Sequence, residues 1–119
     1  MTSGQVRDPA AVEALIEDTK DRIAAAVAII DEAESAMRHA RRAYDHEFAR
    51  AMVAATGPEY VRKAEATMVA MPEREAADRA EEAFHHAERE ARSLEKELFA
   101  WQSILNSVRA MYVTTGVRG

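Results

Sequence analysis

From Ala77 to Tyr112 the apolar and small residues recur at alternating steps of three and four, and no Pro or Gly interrupts them. The series is Ala77, Ala80, Phe84, Ala87, Ala91, Leu94, Leu98, Trp101, Leu105, Val108 and Tyr112. That is the heptad period of a helix with one packed stripe, and a stripe of this length requires a partner helix. A second such pattern precedes it. One bulky column holds Ile16, Ile23, Ile30, Met37, Tyr44 and Ala51, and a small one holds Val12, Thr19, Ala26, Ala33 and Ala40. Small residues at every seventh position allow close helix approach. The pattern changes phase at Glu47, which falls on the stripe while Phe48 and Met52 carry the apolar face onward.

Punctuation sets the boundaries. Asp8-Pro9 is a helix start, with a carboxylate to cap free N–H groups and a proline at the first helical position. Gly57-Pro58 ends that helix, since Gly takes a left-handed cap and Pro cannot continue. A short helix is expected over 58–70, with Tyr60, Val61, Ala64, Met68 and Met71 as its apolar face. Pro72 breaks it, and the last helix runs over 73–113 to stop at Thr114-Thr115-Gly116. The expected fold is therefore all-α. It is a long antiparallel hairpin of helices over 9–56 and 73–113, with a short connecting helix and frayed tails at 1–7 and 114–119. The 119 residues form one domain, and the hairpins assemble into a helical bundle oligomer, a dimer first.

Charge supports the antiparallel arrangement. Net charge is −5 over residues 1–37, +3 over 38–63, −5 over 64–97 and +2 over 98–119. Antiparallel pairing sets the basic block beside the acidic start of the last helix. The overall charge of −5 argues against a general nucleic-acid binder. Absence of Cys excludes disulfides, thiolate metal sites and a Cys nucleophile. No stretch reads as a signal peptide or a membrane span, so the expected location is the cytoplasm.

Three groups of residues carry candidate functions. Ile23, Val27, Ile30, Leu98, Trp101, Ile104, Leu105, Val108 and Met111 make the open end the most apolar part of the chain, more than one stripe can cover, and read as an oligomer interface. Arg38, Arg41, Arg42, Arg50, Arg62 and Lys63 form the one basic cluster, a candidate phosphate contact; the alternative is matching to Glu73, Glu75, Asp78, Glu81 and Glu82. Glu82-Ala-Phe-His85 has the spacing of di-iron bundle ligands, but Phe84 holds the stripe, so both side chains point away from it. The histidines read as exposed titrating groups, and no metal or cofactor is expected. Nothing in the chain reads as a nucleophile, its base or a phosphate loop, so the expectation is a protein that is not an enzyme.

Several short segments resemble one group of proteins. Arg42-Ala43-Tyr44-Asp45 with Phe48-Ala49, Arg62-Lys63-Ala64, Asp78-Arg79-Ala80-Glu81, and Gln102-Ser103-Ile104-Leu105 leading to Arg109 cover about residues 40–110. They resemble small Ala/Arg-rich helical proteins of tailed bacteriophages of GC-rich bacteria, often encoded near replication and recombination genes. The resemblance implies an accessory or adaptor role in phage DNA metabolism within a bacterial host cell, through protein–protein contacts. Direct nucleic-acid binding through the Arg38–Lys63 patch is one alternative, and a dimeric metalloprotein using Glu82 and His85 is another.

Overall fold

The computed structural model describes residues 8–118, with the side chains of 114–118 left aside. Tail residues 1–7 and Gly119, expected to fray, lie outside the described residues. Three helices follow in order: α1 Pro9–Ala54, α2 Glu59–Val69 and α3 Met71–Arg118. Among the described residues there is no strand, and the fold is an all-α helical hairpin with a short connecting helix.

Each helix end has a local cause. Asp8 Oδ1 accepts from the Ala10 N–H at 3.1 Å, and the Asp8 carbonyl accepts from Val12 N–H at 3.1 Å, so the side chain and backbone of one residue both serve the start of α1. After Ala54 the chain turns through Gly57, at φ 105°, the one positive-φ position among the described residues. A Cβ there would meet nothing within 4 Å, so the backbone conformation and not space is what asks for glycine. Between α2 and α3 a single residue, Ala70, leaves the helical path: its N–H donates to Ala66 O at 2.9 Å and its carbonyl accepts from Arg74 N–H at 3.0 Å. Pro72 sits in the first turn of α3, where a missing N–H costs nothing. At the other end, α3 passes through Thr114-Thr115-Gly116 to Arg118, beyond the expected stop at 113. Neither a proline nor a left-handed glycine stands there, and Gly116 alone lowers helix propensity without ending it.

Contacts within the chain group into two compact units, one of residues 8–27 with 89–118 and the other of residues 28–88. In the first, α1 and α3 run antiparallel. Glu13 pairs with Arg109 at 2.9 Å and Arg22 with Glu97 at 3.4 Å. Val12, Ile16 and Leu105 form the buried centre, and Leu98, Trp101 and Ile104 pack against it. Thr19 is the buried polar residue of this seam, and its hydroxyl donates to Leu15 O at 2.8 Å. That bond within the helix lets a hydroxyl stand where an aliphatic group would.

In the second unit Arg41 meets Glu81 across the pair at 3.3 Å. In its seam Ala77 and Ala87 are buried, Met37 is the buried side chain that α1 contributes, and Ile30, Tyr44 and Phe84 are half-buried. Tyr44 and Phe48 lie 6.0 Å apart between ring centres, and the Arg74 guanidinium stands 5.9 Å over the Tyr44 ring. Every residue of the two columns expected along α1 is buried or half-buried. The stripe expected along α3 is too, except Tyr112, which is 60% exposed.

One expectation is corrected by α2. The face expected to pack, Tyr60, Val61, Ala64, Met68 and Met71, is exposed, with Tyr60 and Met68 each at 76%. The helix packs instead through Ala66 and Ala70, both fully buried. Large apolar side chains on that contact would hold α2 away from its neighbours. Small ones let the backbones meet.

Candidate interaction surfaces

The residues expected to form an oligomer interface divide into two sets. Leu105 and Val108 are buried, and Ile23, Leu98, Trp101 and Ile104 are half-buried, all in the first unit. Their apolar area is largely taken up by the hairpin's own seam. Val27 and Met111 of that unit stay exposed. Ile30, half-buried, belongs to the second unit. Phe99 at 72% exposure, Tyr112 and Val113 join the exposed apolar groups of the first unit. Trp101 is oriented from its polar end, its Nε1–H donating to Glu97 Oε1 at 3.5 Å.

The flanks of this seam differ in chemistry. Residues one position after the α1 stripe are Glu13, Glu17 and Lys20, and with Gln102, Asn106 and Arg109 they line a hollow of about 570 Å³ floored by Ile16 and Leu105. Glu13–Arg109 and Glu17–Lys20 (3.6 Å) are ion pairs on that side. Residues one position before the stripe, joined across the hairpin by Arg22–Glu97, include Leu15 and Ile104, both half-buried.

The basic cluster lies wholly in the second unit. Its members are mostly engaged. Arg38 pairs with Glu34, Arg41 with Glu81, Arg50 with Glu47 and Lys63 with Glu59. Arg62 donates from Nε at 3.4 Å and from Nη2 at 3.2 Å to the Met52 carbonyl, in the last turn of α1. A guanidinium from α2 thus serves a carbonyl that its own helix leaves open, and it sits at the negative end of the α1 dipole. Arg42 is exposed beside a hollow lined by Asp31, Glu34, Ser35 and Arg38. For Arg38, Arg50 and Lys63 the matching carboxylates are local ones, one turn away on the same helix. Of the α3 acids expected in that role, Glu81 is the one that meets a member of the cluster in an ion pair, because side chains three or four apart on a helix meet without crossing to a neighbour.

Glu47, the acid on the stripe, has a specific partner. Arg50 grips it with two bonds, Nε to Oε2 at 3.0 Å and Nη2 to Oε1. That hydrogen bond holds the Glu47 carboxyl below the usual carboxylate range and raises the Arg50 guanidinium above its own.

Glu82 and His85 are both exposed. His85 is engaged along its own helix, with Nδ1 at 3.1 Å from Glu88 and Nε2 at 3.6 Å from Glu81. Among the described residues no group of three His, Asp or Glu side chains is arranged to hold a metal ion. No helix among them is long and apolar enough to cross a membrane.

Fold and surfaces together define an all-α helical hairpin that leaves several large apolar side chains exposed in its first unit. No protein-family model matches the chain, and neither a curated protein nor a solved structure shows significant similarity to it.

Proposed function

We propose that this chain is a non-enzymatic helical interaction protein that self-associates through its first unit, residues 8–27 with 89–118. The observation that carries the reading is the surplus of apolar side chains there. With the seam filled by Val12, Ile16, Leu105 and Val108, the groups Val27, Phe99, Met111, Tyr112 and Val113 still face outward. Burying a large apolar side chain contributes roughly 1.5–3 kcal/mol, so several left exposed forfeit much against a typical net stability of ~5–15 kcal/mol. A second hairpin packed on that surface recovers it. The biological role proposed with this is that of an accessory factor in bacteriophage DNA replication or recombination in the host cytoplasm, acting through protein contacts. It rests on the short segments between residues 40 and 110 described above. A pull-down from phage-infected cells that recovers no replication or recombination protein would count against it.

Light-scattering mass at micromolar concentration tests self-association. The expected result is a multiple of the 13.2 kDa chain mass. Trp101→Ala should lower both oligomer mass and stability, the latter by about 2 kcal/mol, less than the 3–5 kcal/mol typical of a fully buried aromatic because Trp101 is only half-buried. A folded wild-type protein that stays at 13.2 kDa would overturn the reading.

Direct nucleic-acid binding has less support, because five of the six basic residues already contact a carboxylate or a backbone carbonyl. Metal binding by Glu82 and His85 across a dimer has less still, since His85 is engaged by Glu81 and Glu88 on its own helix.

A further inference from the structure

We propose that Phe99 is a reciprocal anchor: a second copy of this chain docks end over end on the first unit, each copy seating its Phe99 in the other's hollow above Ile16 and Leu105. The inference rests on the self-association reading and adds to it a face, an anchor and a register.

The hollow and the outward apolar groups share one face. Gln102 and Asn106 line the hollow, and Phe99 stands three and seven residues before them, so it lies on the same side of α3. Val113 stands seven after Asn106. Val27 stands seven after Lys20, which lines the hollow from α1. Three of the five outward apolar groups of this unit are thus on the hollow's face. Tyr112 ends the stripe, and Met111 belongs to the opposite edge with Ile104 and the Arg22–Glu97 pair.

Shape selects a second copy as the occupant. Phe99 is 72% exposed, and one turn away the hollow of about 570 Å³ has the buried Ile16 and Leu105 as its floor. Both open in the same direction, so they cannot meet within one chain. An aromatic group entering an apolar-floored pocket ringed by polar side chains is the arrangement in which binding energy concentrates. Glu13–Arg109 and Glu17–Lys20 supply that ring.

Charge fixes the register. In a two-fold contact residue i meets j and j meets i, so the contacting column must match its own reverse. On α3 that column is Glu95, Gln102 and Arg109. Turned over at Gln102, Glu95 stands opposite Arg109 of the second copy, and Phe99 comes level with Leu105 of the second copy. An axis one heptad along in either direction, at Glu95 or at Arg109, would set that residue against its own copy. The hairpin carries the register to α1, because Glu13 beside Arg109 puts Lys20 level with Gln102. Lys20 then nears its counterpart, but each holds its own Glu17 at 3.6 Å, so the four charges sum to zero.

The area is sufficient. Twenty helical residues span about 30 Å, and two adjacent helices are about 20 Å wide. Such a face buries roughly 600 Å² on each copy, or about 1,200 Å² in total, at the lower end of specific interfaces.

The tests use the full chain, which has no cysteine of its own. Phe99→Ala should raise the dimer dissociation constant about tenfold or more, read from mass against concentration. Helical circular dichroism should be retained, since Phe99 is exposed in the hairpin. Glu95→Arg should weaken the dimer similarly, by setting like charges together across the axis. Met111→Ser, an apolar loss on the opposite edge, should leave the dimer intact. Gln102→Cys should oxidise to a covalent dimer about tenfold faster than Ser107→Cys, which is exposed on that opposite edge. A wild-type chain at monomer mass overturns both the self-association reading and this docking. A wild-type dimer that withstands both Phe99→Ala and Glu95→Arg overturns the docking alone, and so does one broken by Met111→Ser. Equal oxidation rates for the two cysteine variants overturn the docking as well.

Discussion

Single residues in this chain resolve conflicts that a purely apolar seam would not have. Glu47 sits half-buried on the stripe because Arg50 satisfies both of its oxygens. A carboxyl held below its ordinary value contributes stability that is fully present above the unfolded pKa, about 4.3, and is lost as pH falls through the lower folded value. The stability gap between wild type and Glu47→Gln, measured by urea unfolding, should therefore be open at pH 7 and narrow progressively as pH falls below about 4.3. Arg62 resolves a different conflict. α1 has no basic residue of its own in its last turn, and the guanidinium on α2 supplies the missing donor to Met52 O. Arg62→Ala should cost about 1 kcal/mol and loosen amide protection in the last turn of α1, whereas Arg42→Ala, at an exposed site, should stay within about 0.5 kcal/mol.

At the scale of elements, all three helices were legible, and so were the packed faces of the long ones, but not the packed face of the short one. Two patterns of period seven, each over five or more turns, leave little choice about which side chains pack, and Val12, Ile16, Met37, Leu94 and Leu105 are buried where periodicity puts them. α2 has only eleven residues. Over three turns the large apolar groups and the small ones each describe a plausible face, and periodicity cannot choose between them. Packing chose the alanines, because Ala66 and Ala70 let α2 lie close where Tyr60 and Met68 would hold it off. Ala66→Leu should accordingly destabilise by about 1–3 kcal/mol through overpacking, read from denaturant midpoints. Tyr60→Ser should be nearly neutral. The reverse ranking would return the helix to the face its side-chain sizes suggest. The basic cluster was legible only in part as to its partners, with Arg41 meeting Glu81 across the hairpin and Arg38, Arg50 and Lys63 finding nearer carboxylates. Its spacing to Glu34, Glu47 and Glu59 on the same helices matters more than its position opposite an acidic segment.

For the molecule as a whole, α1 and α3 each pass through both units, yet the two seams are built of different material. The buried residues of one are Val12, Ile16, Leu94, Leu105 and Val108 with Ala26 and Ala91, while those of the other are Met37 with Ala66, Ala70, Ala77 and Ala87, its larger groups Ile30, Tyr44 and Phe84 being only half-buried. Alanine buries little surface and leaves little void, so the second seam gains its cohesion from close backbone approach more than from apolar area. Local opening should then cost less there. Native-state hydrogen exchange is expected to be slower for the amides of 94–108 than for those of 77–87, although all of them belong to one unbroken helix. Uniform exchange along α3 would show that the helix opens as one cooperative body. The graded outcome would make the alanine seam a built-in weak link, the place where heat or denaturant first parts the two strands of the hairpin while the far end of the same helices stays shut.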